Sequence, residues 1–289
     1  MKSAFRLQAV TKQYPSREKS PGFILGPLNL ELPSGCILGL IGENGAGKTT
    51  TLKMMLGLTR KSGGYIELLG RPAGDETLRA HMGAVMDGIC FPGDMNARQV
   101  GRMLEKLYPS WHMGTWHTWC RRFHLPEEKK IAAYSKGMQQ KLMLAAAFSH
   151  DSRLLLLDEA TSGLDPVARD ELLDTLRDFV SDENHSVLLS SHLVEDVQKV
   201  CDYVALLHEG QLLFCEEKDQ LLESFALVQG PREVLLRLPG LRGMRENAFG
   251  ATVLVPRIKV PSGLSWQPAG LEDIMLYTLR EDYHERTAV

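Results

Sequence analysis

Residues 4–10, Ala-Phe-Arg-Leu-Gln-Ala-Val, alternate apolar and polar positions with the period of two that marks a half-buried strand. Leu28 to Leu32 alternates in the same way. Pro33-Ser34-Gly35 then turns the chain into a short continuous apolar run, Cys36 to Ile41. Thr49 to Leu56 reads as a helix that Gly57 closes, and Tyr65 to Leu69 as another strand, ended by Gly70. Between the first two strands, Lys12 to Pro27 is rich in Ser, Pro, Gly and charge and is expected to be a loop.

From about Asp87 to His150 the pattern changes to helical spacing, with Val100, Met103, Leu104 and Leu107 as one stripe, so a mainly helical insertion is expected there. Leu154 to Leu157 is wholly apolar, as a central parallel strand is. Asp165-Pro166 supplies a cap and a first-turn proline for a helix whose stripe is Val167, Leu172, Leu173, Leu176, Phe179 and Val180. A buried strand, Ser186–Ser191, a helix, Leu193–Cys201, and a hairpin turned at Glu209-Gly210 follow. The pattern predicts an α/β fold over residues 1–217. A small α+β appendage is expected over 218–289: a short helix, strands at Glu233–Leu238 and Ala251–Val255, and a helix near Leu271–Leu279.

Chemistry enters between the apolar run and the first helix. Gly42-Glu43-Asn44-Gly45-Ala46-Gly47-Lys48-Thr49 fits the phosphate-loop pattern at every fixed position. Its glycines let backbone N–H groups turn inward on a phosphate chain, and the helix adds its positive end. Lys48 supplies a cation for the β- and γ-phosphates, and the Thr49 hydroxyl can ligate Mg²⁺. A second cluster ends the leucine run. Asp158 is placed to hold Mg²⁺ through water, and Glu159 to orient and deprotonate the water that attacks the γ-phosphate.

Charge and cysteine content narrow the picture. A formal net charge of −3 argues against a general nucleic-acid binder, and none is expected as a partner. Tryptophans 111, 116 and 119 lack basic interleaving, so core packing or a partner groove is the expected use rather than base stacking. Five scattered cysteines without a C-x-x-C pair suit reduced thiols in a cytosolic protein. No signal peptide is read at the N-terminus, and no stretch approaches the ~18 apolar residues of a membrane span.

Three further pieces stand in fixed order around Asp158: Tyr134-Ser135-Lys136-Gly137-Met138, Ser162-Gly163-Leu164-Asp165 and Ser190-Ser191-His192. With the phosphate loop and Asp-Glu, this order resembles the nucleotide-binding subunits of ATP-binding-cassette (ABC) transporters, over roughly residues 4–217. The resemblance implies a P-loop NTPase with a RecA-like core, an antiparallel β-subdomain and a helical insertion. It implies that Gly42 to Thr50 grip the phosphates of ATP, that Tyr14 stacks on adenine, and that His192 contacts the γ-phosphate. Ser135, Lys136, Gly137 and Met138 stand where the family carries its signature element, which serves ATP held by the opposite subunit. Asp165 is implied at the subunit interface. ATP and Mg²⁺ are the implied cofactors. A second ABC ATPase subunit (in a homodimer or heterodimer) and an integral membrane permease are the implied partners, which would hold a cytoplasmic protein at the inner face of the membrane.

The chain departs from the family at two places. Tyr134, Lys136 and Met138 replace the usual Leu, Gly and Gln of the signature, and Asp87 stands near where the family has its switch-loop Gln. Asp87 is therefore a candidate metal ligand. The subgroup most resembled is that of bacterial single-cassette ATPases of exporters with ABC-2-type permeases. A soluble ABC ATPase, acting for instance in iron–sulfur assembly, is the alternative, and a small-molecule kinase would leave the signature and His192 unused.

Overall fold

The computed structural model describes residues 2–15, 22–88, 90–247 and 250–287, apart from the side chains of 247 and 281–287. The chain divides into two compact units, Met1–Cys215 and Glu216–Val289.

The first unit opens with β1 (Ser3–Tyr14), β2 (Phe23–Pro33) and β3 (Ile37–Ile41), followed by α1 (Lys48–Met55). Next come β4 (Gly63–Leu68), β5 (Arg71–Pro72) and β6 (Met82–Val85). The helices α2 (Ala97–Leu107), α3 (Met113–Arg122) and α4 (Lys136–Ala147) form the insertion. The chain then runs through β7 (Leu154–Asp158), α5 (Pro166–Val180), β8 (Ser186–Ser191), α6 (Val194–Val200), β9 (Tyr203–His208) and β10 (Gln211–Glu217).

Two sheets result among the described residues. One is antiparallel, in the order β2-β1-β4-β5, and the other runs β10-β9-β3-β8-β7-β6. In the second sheet β9, β3, β8, β7 and β6 are mutually parallel. The residues of β3, β7 and β8 are buried throughout, which is why their sequences run apolar without alternation. Parallel register sets Asp158 beside Ser190 and Ile41 beside Ser191, so three strand ends meet at one edge. Ligands of open parallel sheets gather at this carboxyl edge.

The expected loop over Lys12–Pro27 is corrected. Tyr14 still pairs with Phe23 at the far end of the β1–β2 ladder, and only residues 16–21 lie outside the described set. The helical stripe expected at 100–107 holds for Val100 and Leu104, while Leu107 is exposed beyond the end of the packed face. Val167 is likewise exposed at the start of α5, whereas Leu172, Leu173 and Leu176 are buried. Trp116 is fully buried, and a Cβ on Gly101 would lie 2.5 Å from its Nε1, so α2 and α3 pack at close range. Trp111 and Trp119 turn toward Trp116 and Phe148, with ring centroids 5.5 and 4.8 Å apart, and serve packing.

The second unit holds α7 (Lys218–Ser224), β11 (Phe225–Gly230), α8 (Arg232–Leu235), β12 (Arg242–Asn247), β13 (Gly250–Pro256), β14 (Trp266–Pro268) and α9 (Leu271–Thr287). Its antiparallel sheet runs β12-β13-β11-β14. The strand expected at Glu233–Leu238 is a short helix instead. Leu235 and Leu238 are buried three positions apart while Val234 and Leu236 are exposed, a helical period that the alternation of leucines disguised. Strands β11, β12 and β14 were not expected from the pattern: β11 is buried without alternation, Gly243 interrupts β12, and β14 is only three residues ending in Pro268.

Candidate nucleotide site

The phosphate loop joins β3 to α1. Gly47 caps α1 in a left-handed backbone (φ 113°), and a Cβ there would meet Leu25 Cδ1 at 2.6 Å, so only glycine fits. A cavity of about 330 Å³ lies over the loop. Glu43, Asn44, Gly45, Gly47, Lys48, Thr49 and Thr50 line it, together with Asp87, Asp158, Glu159 and Phe23. Its size falls within the range of small-molecule sites.

Lys48 is 6% exposed, and its Nζ donates to the carbonyls of Gly42 and Glu43 at 2.7 and 3.3 Å. The Thr49 hydroxyl donates to Asp158 Oδ2 at 2.7 Å. Asp158 is buried, and its other oxygen accepts from the Ser190 hydroxyl at 2.6 Å. The Glu159 N–H donates to the Ser190 carbonyl at 3.1 Å and to its hydroxyl at 3.2 Å, so one residue positions both carboxylate residues. Sequence reading quoted Ser190 only as part of the Ser-Ser-His run. Its in-register place beside Asp158 was the signal that identifies it.

Glu159 adopts φ 51°, a left-handed conformation that a residue with a side chain rarely holds. This turns it away from the strand line of Asp158. Glu159 Oε2 makes a 2.6 Å hydrogen bond with His192 Nδ1, which donates in the tautomer this contact requires. Glu159 Oε1 accepts no hydrogen bond among the described residues, and Lys48 Nζ stands 3.4 Å from it as an ion-pair partner. The carboxylate is thus fixed by His192 at one oxygen, while the other is buried toward Lys48.

The remaining candidates fall in different places. Gly42, Ala46, His192 and Tyr14 do not line the cavity, although Gly42 and His192 touch residues that do. Tyr14 is 40% exposed, under Lys12 Nζ at 4.8 Å, and its ring centroid is 6.5 Å from that of Phe23. Phe23 is the aromatic that lines the cavity. It was missed because the segment read as a polar loop, although β2 begins with it.

Ser135, Lys136, Gly137 and Met138 lie outside the cavity. Ser135 caps α4, its hydroxyl accepting from the Met138 N–H at 3.3 Å. A Cβ on Gly137 would stand 3.0 Å from the Gly163 carbonyl, so the start of α4 packs on the turn that leads to Asp165. Asp165 caps α5 by accepting from the Ala168 N–H at 3.0 Å. That backbone donor, with Lys141 nearby, holds its carboxyl below the usual Asp range.

This geometry agrees with what comparison with known proteins finds. The ABC transporter family model matches residues 25–162. An ABC transporter ATP-binding protein of Bacillus subtilis, YhcH, is 32% identical over 249 residues, which cover 81% of this chain and 78% of that protein. The chain belongs to the ATP-binding subunits of ABC transporters. The Nod factor export ATP-binding protein I of Burkholderia lata is 31% identical to this subunit over 278 residues, or 88% of this chain and 91% of the relative. A solved ATP-binding subunit of an ABC transporter superposes with a TM-score of 0.67 at 26% identity, covering 75% of this chain and 91% of that one.

Proposed function

We propose that this subunit hydrolyses ATP to drive export through a separate membrane permease, by pairing of two cassettes around the nucleotide. The observation that carries the reading is Glu159, fixed by His192 through Oε2 at 2.6 Å with Oε1 facing the Lys48 end of a phosphate-loop cavity. A carboxylate held this way can orient a water and accept its proton as the γ-phosphate bond breaks. Lys48 and the loop N–H groups bind the phosphates, and His192 holds Glu159 in line.

Thr49, Asp158 and Asp87, which all line the cavity, offer hard oxygen ligands. That donor set suits a Mg²⁺ ion held by few protein groups and by the substrate's phosphates. Bound there, Mg²⁺ would neutralise charge developing on the phosphate oxygens. Phe23, with Tyr14 beside it, is the adenine-side surface of this reading.

Ser135 to Met138 crown the exposed start of α4, away from the chain's own cavity. A second cassette facing the first would receive these residues at its γ-phosphate, in a homodimer or heterodimer, with Asp165 at the interface. Residues 1–217 are then the ATPase domain, and 218–289 an appendage that regulates it or supports the dimer. No helix among the described residues is long and apolar enough to cross a membrane, so a permease partner would hold the subunit at the inner membrane face. The likeness to a Nod factor export protein supports the outward direction.

Light scattering on Glu159→Gln tests the pairing: ATP with Mg²⁺ should convert monomer to dimer. A variant that binds ATP yet stays monomeric would refute self-pairing. Affinity capture from detergent extract should recover a polytopic membrane protein, and a purely soluble partner set would remove the transporter assignment.

A further inference from the structure

A cleft of the first unit lies at the opposite end of the parallel strands from the phosphate loop. It encloses about 550 Å³ and is lined by Lys2, Arg6, Arg71, His81 and Arg153, with Glu67 the one carboxylate in the wall. His81 and Arg153 immediately precede β6 and β7, so they stand at the amino ends of strands whose carboxyl ends carry the ATP chemistry. Arg6 and Arg71 come from the antiparallel sheet. Leu69 and Leu78 supply apolar wall, and Ser34, Thr77 and Asn184 add neutral polar groups.

Acidic partners hold the arginines by one nitrogen each. Arg6 Nη2 bonds Glu31, Arg71 Nη1 contacts Asp75 and Thr77, and Arg153 Nη2 reaches Asp151 at 3.5 Å. None of those acids lines the cleft. A guanidinium has five N–H donors in a planar fork, so most remain uncommitted, and Arg6 Nε is buried without any partner among the described residues. Such forks, held from behind and lining one concave wall, match the oxygens of phosphate or carboxylate groups.

The geometry points to a second ligand site in this cleft, for a small anion carrying two or more phosphate or carboxylate groups. The ligand would bridge the antiparallel sheet, through Arg6 and Arg71, to the parallel sheet, through Arg153. The site is separate from the nucleotide cavity and its occupancy needs neither ATP nor a second subunit.

Calorimetric titration of the full chain carrying Lys48→Ala, which weakens the phosphate loop, tests this with pyrophosphate and citrate at constant ionic strength set by chloride. One of the two anions should bind at one site per chain, and the tighter of them names the group recognised. Adding Arg153→Gln, or Arg71→Gln should the first variant unfold, should weaken that binding about tenfold or more, the loss expected for one charge-assisted contact. Both side chains are half exposed, so neither change opens the core. Absence of binding by both anions, or affinity unchanged in folded Arg153→Gln and Arg71→Gln proteins, overturns the site.

Discussion

The two units of this chain use sheets to opposite ends. In the first, β3, β7 and β8 are buried along their whole length, and every polar group of consequence waits at their carboxyl tips: the phosphate loop, Asp158 with Glu159, and Ser190 with His192. In the second, β13 is partly exposed toward its ends and buried from Val253 to Val255, beside a small core of Val228, Leu235, Val253 and Val255. Among the described residues, no comparable set of strand-end chemistry marks it. Where strands are sealed on both faces, reactive side chains can sit only where strands end, and several ends in register make a site. The second unit's β13 is sealed through its middle as well, so buried strands supply only the places where a site can form, and the residues at their ends decide whether one does.

The contrast is broken most severely at Glu159. Glu159→Gln should reduce ATP turnover at least about a hundredfold, because a positioned base contributes roughly 10²–10⁴. Steady-state phosphate release measures it, and a variant that still turns over normally would disprove the role. In the second unit the corresponding cost should be structural. Leu254 is fully buried, and Leu254→Ala should destabilise by about 2–5 kcal/mol, read by chemical denaturation, with nucleotide affinity retained. Loss of nucleotide binding there would mean the units are not separable in function.

A subtler test sits at Ser190. Ser190→Ala leaves Asp158 Oδ1 buried without its donor, at a cost of about 1–3 kcal/mol in stability. Turnover should fall with it, because Asp158 loses one of its two hydroxyl donors, while the Glu159 N–H keeps the Ser190 carbonyl; an unchanged melting point and rate would show that Thr49 alone suffices to orient Asp158. The smallest effect belongs to His150. Burial holds its imidazole below the ordinary value, outweighing hydrogen bonds to the Met82 and Ala146 carbonyls that act the other way. A group whose folded form resists its proton contributes stability above the ordinary His range, near pH 6.5. That contribution shrinks as pH falls below it, since the unfolded chain takes up the proton first. Denaturation of His150→Gln at successive pH values should show a shallower acid slope than the parent.

Much of the first unit was legible because its signals are local. The phosphate loop needs glycines at fixed spacing, and Leu154–Asp158 declares a sealed strand by composition alone. Phe23 was hidden because its role depends on the long β1–β2 ladder, which carries it to the cavity across a segment that reads as a loop. Ser190 needed the register of β8 against β7, which spacing along the chain does not encode. The second unit was read poorly for a related reason. Its strands are short or interrupted by glycine and proline, and Val234 to Leu238 carries apolar residues at both helical and strand intervals. There the choice is made by which leucines find a core.

The left-handed backbone at Glu159 has a consequence for how this protein would change under selection. Holding a residue with a side chain at φ 51° costs of order 1–3 kcal/mol, which glycine would recover. A library of variants screened for heat resistance alone should therefore drift toward glycine at 159, while one screened for turnover should hold glutamate there. If Glu159 is the base, the residue that does the work is the one at which durability and turnover part company.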